Sequence, residues 1–145
     1  MNDIWIVVEH LEGKLSEVTY ELLGRGREMA TGGRTVAVLL GKGVQGLVTD
    51  LGAADVVLLV EDDRVENYTP ESYRQVIAAL AKERNPRLIM VPNTAMGIDL
   101  AAGLSGEMNV PLIAYCKEVW AENGQIVGVS QLYGGKIMVE SVLPE

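Results

Sequence analysis

A chain of 145 residues, 48% hydrophobic and 22% charged, can bury roughly 68–70% of its unfolded surface, which excludes disordered and fibrous classes. Its 20 acidic against 12 basic side chains leave a net charge of −8, the wrong sign for binding nucleic acid or an anionic membrane surface. The single Cys116 excludes an internal disulfide framework and a cysteine metal cluster, and reads as a small apolar core residue. The opening "MNDIWIVVEH" has no basic leader, and no apolar run approaches the ~18 residues of a membrane span, so no membrane insertion and a cytoplasmic location are expected.

In chain order, strand-like and helix-like segments alternate. Ile4–Val8 is a β-branched apolar run, read as a strand buried on both faces. After the turn "EGK", Ser16 suits a helix N-cap. Leu15 and Tyr20 are spaced as a hydrophobic staple, and Val18, Leu22 and Met29 lie along one helical face, which Gly32 and Gly33 end. Thr35–Leu40 is a second strand, followed by "GKGVQG" and a helix closing at Gly52. Asp55–Val60 is a third. The next helix has the clearest ends: Thr69 as cap, Pro70 at its first position, Glu71 near its positive pole, Lys82 and Arg84 near its negative pole, and Asn85-Pro86 as a stop. Tyr73, Val76, Ile77 and Leu80 form its apolar stripe. Leu88–Val91 is a fourth strand, leading through a loop into a helix with Leu100, Leu104 and Met108 at intervals of four, and Pro111–Tyr115 is a fifth strand. Beyond it the pattern changes to hairpins, with a type I′ turn at Asn123-Gly124 and another turn at Gly134-Gly135.

This alternation implies an α/β fold: a doubly wound, mostly parallel sheet of order about 3-2-1-4-5. Helices cover both faces, and C-terminal antiparallel hairpin strands lie at the edge beyond the fifth strand. In such sheets ligands sit beyond the carboxyl ends of the strands where the order reverses, here between the first and fourth. The candidate binding residues are therefore Glu9 and His10 after the first strand, and Asn93, Thr94 and Gly97 after the fourth. A helix starting near Met96 or Gly97 would aim free N–H groups into that crevice, although Asp99 would lie at its positive end; the small residues from Gly97 to Gly106 suit either ligand contact or close packing.

Gly41, Gly43 and Gly46 match the dinucleotide pattern G-x-G-x-x-G, and Glu61 lies near the place of a ribose-binding carboxylate. They follow the second strand, one position away from the crevice, so they are weaker candidates and read first as a turn. No Gly-Lys-Ser or Gly-Lys-Thr occurs, which excludes a Walker-type phosphate loop. His10, the one histidine, has no serine or cysteine partner that would make it a catalytic base, and no metal ligands cluster.

Four stretches, "IWIVVEHLEGKLSEVTYELLGRGREMA", "GAADVVLLVEDDRVENYTPESYRQVIAALAKERNPRLIMVPNT", "GIDLAAGLSGEMNVPLIAYCKEV" and "LYGGKIMVES", together resemble the N-terminal domain of the electron transfer flavoprotein alpha subunit. The resemblance covers nearly the whole chain and implies a single domain over residues 1–145, with the family's C-terminal FAD-binding domain absent. It further implies a non-catalytic scaffold and docking surface, partnered by a beta-like subunit and a flavin-binding C-terminal domain, or by a copy of itself. The electron donor would be an acyl-CoA-type or other dehydrogenase. FAD belongs to the family's complete complex and is not expected on this chain alone, and AMP is held by the beta subunit in its own related fold. One departure is that Ile98 stands where the family's G-R-D-L has arginine. The alternative from a different class is a stand-alone AMP- or ATP-type nucleotide-binding domain that uses the crevice.

Overall fold

The computed structural model describes residues 2–144. Its centre is β1, Ile4–Val7, every residue of which is buried. That burial follows from position: β1 pairs in parallel with β4 (Thr35–Gly41) on one side and β6 (Leu88–Met90) on the other, Ile4 standing opposite both Thr35 and Leu88. β5 (Val56–Glu61) completes a four-stranded sheet of order β5-β4-β1-β6. This reproduces the expected reversal beside the first strand and its fourth-strand neighbour.

Strand alternation sends side chains to two cores. Ile4, Ile6 and Val8, with Ala37 and Leu39, meet Leu23 and Met29 of α1 (Glu17–Met29). Leu47 and Leu51 of the 3₁₀ helix Gln45–Leu51 join the same core. Trp5, Val7, Val36, Val38 and Leu40 face the other way, onto α2 (Pro70–Arg84) and α3 (Ala95–Met108). A sheet covered on both faces explains why its strands read as continuous apolar runs.

The ends of α2 are those the sequence indicates. Thr69 Oγ1 accepts from Ser72 N, Pro70 begins the helix, and Asn85 closes it in the left-handed conformation. For α1 the expected face is turned by one residue. Thr19, Leu23, Gly26 and Met29 are buried, while Val18 and Leu22 are only partly so, because bare Gly26 is needed where the helix passes over β1: a Cβ there would lie 2.7 Å from Ile6 Cδ1. Ser16 occupies the cap position without a side-chain hydrogen bond, and Tyr20 is exposed rather than stapled. The helix expected after "GKGVQG" is 3₁₀ rather than α. The turn "EGK" becomes a small hairpin of β2 (His10–Leu11) and β3 (Lys14–Leu15), with Glu12 and Gly13 both at positive φ, as a type I′ turn requires.

The largest departure is the fifth strand. Pro111–Tyr115 does not pair with β6, and the C-terminal strands do not extend the main sheet. Instead β7 (Cys116–Glu122), β8 (Gln125–Leu132) and β9 (Ile137–Leu143) form a separate antiparallel sheet, joined by the expected positive-φ turns at Asn123-Gly124 and Gly134-Gly135. The segment between α3 and β7 is tied elsewhere. Ser105 Oγ donates to Val110 O at 2.6 Å, Ser130 Oγ donates to Ala114 O at 2.8 Å, and Ile113 packs against Gly128. Ile126 carries the inner face of the small sheet into the α1-side core, with Val119 and Leu143 beside it.

Asp3, nine-tenths buried at the start of β1, clasps β4 through Arg34: its carboxylate accepts from Arg34 N at 3.0 Å and Arg34 Nη2 at 2.8 Å. The Arg34 guanidinium holds the Asp3 carboxyl below its ordinary value. A depressed folded-state pKa contributes stability that is complete above the unfolded value of about 3.9 and is lost as pH falls through the lower folded value. Asp3→Asn should therefore lower the melting temperature at pH 7 and flatten its decline in acid. Thermal scans from pH 7 to 2.5 check this, and an unchanged acid slope would contradict it.

Candidate functional site

The crevice at the switch point is built by the carboxyl ends of β1 and β6 and the start of α3. Val7, Val8, Glu9 and His10 form one wall, Pro92, Thr94, Met96 and Gly97 the other, and Tyr68 and Tyr73 close it from the α2 side. Four of the expected residues, Glu9, His10, Thr94 and Gly97, thus come together. Asn93 does not join them; it faces the broader groove along the outer edge of β6.

Most polar groups here are engaged with the chain itself. His10 Nε2 lies 2.6 Å from Leu40 O, and since a carbonyl only accepts, Nε2 carries the proton and Nδ1 keeps its lone pair in the neutral ring. Tyr73 donates to the same carbonyl at 2.9 Å, and Tyr68 donates to Met96 O at 2.7 Å. The two phenol rings meet edge to face with centroids 4.8 Å apart. Burial pushes the Tyr73 phenol up to about 12, and burial together with the nearby Asp99 and Glu9 carboxylates raises Tyr68. Neither tyrosine can serve as a base near neutrality. Thr94 Oγ1 caps α3 by accepting from Gly97 N at 3.1 Å. The helix begins at Ala95, so Asp99 falls in its second turn rather than at the positive end where the sequence placed it.

Glu9 is the exception, because its Oε2 is buried and accepts no hydrogen bond. The space beside it is small. The crevice measures about 20 Å³, enough for one water molecule at a threshold of roughly 10–15 Å³. A Cβ on Gly97 would lie 1.7 Å from Pro92 O, so this glycine is required by backbone contact within the chain. Close packing thus accounts for Gly97, and Gly103 likewise passes near Arg74 on α2.

The glycine motif resolves residue by residue. Gly41 leaves room for Val44 Cγ1, 2.7 Å from where a Cβ would stand, and for the His10 ring. Gly43 has φ +68, and Gly46 meets nothing within 4 Å. The first two shape a turn and the third has no steric role. The free amides after that turn are occupied: Glu61 Oε1 accepts from Val44 N at 2.8 Å and Gln45 N at 3.0 Å. The residue spaced like a ribose ligand instead caps the loop that a phosphate would need. Sequence reasoning missed Tyr68 and gave Tyr73 only a packing role; the signal available was "YTPE", which puts a tyrosine just ahead of the α2 cap.

Among the described residues, no group of three or more His, Cys, Asp or Glu could hold a metal ion, and no helix is long and apolar enough to cross a membrane. The model of the electron transfer flavoprotein domain family matches residues 4–145. The chain belongs to the electron transfer flavoprotein domain family. It is 36% identical over 148 residues to "Protein FixB" of Clostridium saccharobutylicum, a match covering 98% of this chain and 44% of that protein. The electron transfer flavoprotein subunit alpha of Thermoanaerobacterium thermosaccharolyticum is also 36% identical, over 99% of this chain and 45% of its own. The acryloyl-CoA reductase electron transfer subunit beta of Anaerotignum propionicum is 32% identical over 79% of this chain and 32% of its own. The chain spans less than half the length of these relatives. The resemblance read from the four sequence stretches is thereby met. Such relatives are components of electron carriers, and the family is a flavoprotein family.

Proposed function

We propose that the chain is the N-terminal domain of an electron transfer flavoprotein alpha-type subunit. In this reading it acts as a non-catalytic scaffold that docks a beta-type subunit and a flavin-carrying domain in a complex fed by a dehydrogenase. One observation carries the scaffold reading: at both places where this fold could hold a nucleotide, the chain's own groups stand where a ligand would approach. Glu61 sits on the loop amides after β4, and Gly97 closes on Pro92 at the switch point.

The docking surface we infer is the outer face of the C-terminal sheet. Register places Trp120, Val127 and Val142 side by side on it, with Val129 and Met138 next along the same face. Val127 is only 4% exposed yet belongs to neither core, and Val142 and Met138 are 51% and 49% exposed. Glu118, Glu122 and Glu140 lie on the same face. An apolar stripe rimmed by carboxylates suits a partner surface with its own apolar centre and basic rim, and a subunit so charged would be steered to this acidic chain. The occupant we assign is the beta-type subunit.

Calorimetric titration with the beta-type subunit from the same source should give one-to-one binding that weakens with added salt, whereas titration with AMP or ATP should give no heat. Nucleotide binding without subunit binding would replace this reading with that of a stand-alone nucleotide-binding domain.

A further inference from the structure

Glu9 Oε2, at the switch-point crevice, is out of contact with solvent and accepts no hydrogen bond. A carboxylate oxygen in that state is costly, because it has left water without gaining a donor. No lysine or arginine lines the crevice to act as its counter-ion. The neighbouring side chains do not compensate, since three of their donors are committed elsewhere: His10 Nε2 and the Tyr73 hydroxyl to Leu40 O, and the Tyr68 hydroxyl to Met96 O. The Thr94 hydroxyl, which caps α3, does not reach Glu9 either.

The capacity left over on these side chains is mainly that of acceptors. Besides Glu9 Oε2, the Tyr68 oxygen keeps a lone pair, because a phenol that donates can still accept. The nearby charge has one sign: the Asp99 and Glu9 carboxylates both lie close enough to Tyr68 to raise it. A ligand suited to this place therefore carries positive charge and offers N–H donors. Its head must fit a space of about 20 Å³, walled by the buried side chains of Val7 and Leu100. An ammonium group is about the size of a water molecule and fits, whereas a planar guanidinium with its fork of donors is too broad. A divalent cation would call for about six oxygen ligands, and among the described residues no three acidic or histidine side chains gather to supply them.

We propose that the crevice is a binding site for a primary ammonium group, held by Glu9 Oε2 with the Tyr68 oxygen as a second acceptor. The carbon tail of the ligand leaves toward solvent, where Glu9 and His10 are partly exposed. Two sources share this chemistry, a free small amine and the lysine side chain of a partner protein. The site itself rests on the chain's own geometry and does not depend on which partner docks against the small sheet.

Methylammonium is the probe. The thermal midpoint of the intact chain should be higher in methylammonium chloride than in equal concentrations of sodium chloride or tetramethylammonium chloride, whose cations offer no N–H donor. At about ten times the dissociation constant the rise should reach roughly 3–6 °C for a chain of this size. Glu9→Gln keeps the shape, removes the charge and should abolish that rise, while Glu12→Gln, on the exposed turn between β2 and β3, should leave it intact. The Glu9 carboxyl-carbon resonance of the unsubstituted chain reads binding without any variant, and should shift as methylammonium is added. A midpoint that does not distinguish methylammonium from sodium, a rise that survives Glu9→Gln, or an unmoved Glu9 resonance would overturn the proposal and leave the crevice to water. Adding the beta-type subunit separates the two sources: loss of the methylammonium response in the complex assigns the site to a partner lysine, and its persistence to a free amine.

Discussion

Gly97→Ala should lower the melting temperature by about 10 °C. The added Cβ would stand 1.7 Å from Pro92 O and 2.8 Å from its carbonyl carbon, and both are backbone atoms of the loop that positions α3. Relief would need either the start of α3 or the end of β6 to shift, and Leu100, a few residues into α3, packs in the core against β1. Overpacking of this kind costs about 3 kcal/mol at the upper end of its usual range, and for a chain of this size each kcal/mol moves the midpoint by roughly 2–4 °C. The companion substitution is Gly46→Ala, where a Cβ meets open space. It should leave the midpoint within a degree or two or raise it slightly, since it only restricts the unfolded chain. Calorimetric scans of the two variants read the contrast directly. Equal effects would mean that the approach of Gly97 to Pro92 is not what sets the midpoint.

Trp120→Ala should weaken binding to the beta-type subunit by about 30-fold, corresponding to the roughly 2 kcal/mol that marks a central aromatic anchor. Trp120 stands opposite Val127 on the outer face of the small sheet and contributes to neither core, so the same substitution should change the melting temperature by only a few degrees. Val142→Lys, on β9 across β8 from Trp120, should act in the same direction by placing an ammonium in the apolar stripe. Titration calorimetry at fixed salt measures both variants. Affinity unchanged in the two would locate docking elsewhere on the chain.

The parts of this fold legible in the sequence are those set by short-range chemistry. Continuous β-branched runs announced strands buried on both faces, and Thr69, Pro70 and Asn85 marked the ends of α2 because capping involves only neighbouring residues. What escaped depends on contacts distant in sequence. The face of α1 turned because Gly26 must clear Ile6, a constraint that no periodicity within the helix expresses. Pro111–Tyr115 has a strand-like composition, yet hydroxyl contacts from Ser105 and Ser130 hold it off the sheet. At the crevice, topology alone brought Glu9, His10, Thr94 and Gly97 together. The doubly accepting Leu40 carbonyl and the tyrosine pair could not be foreseen, because each joins residues about 30 positions apart or meets across a fold whose packing the pattern does not encode.

Glu61 gives the loop after β4 a competitor that never diffuses away. Tethered to the adjacent strand, its carboxylate faces the Val44 and Gln45 amides at an effective concentration on the order of millimolar or more. Any phosphorylated ligand approaching this turn would have to displace a carboxylate that is always at hand, so the loop keeps the outline of a nucleotide site while Glu61 raises the affinity such a ligand would need.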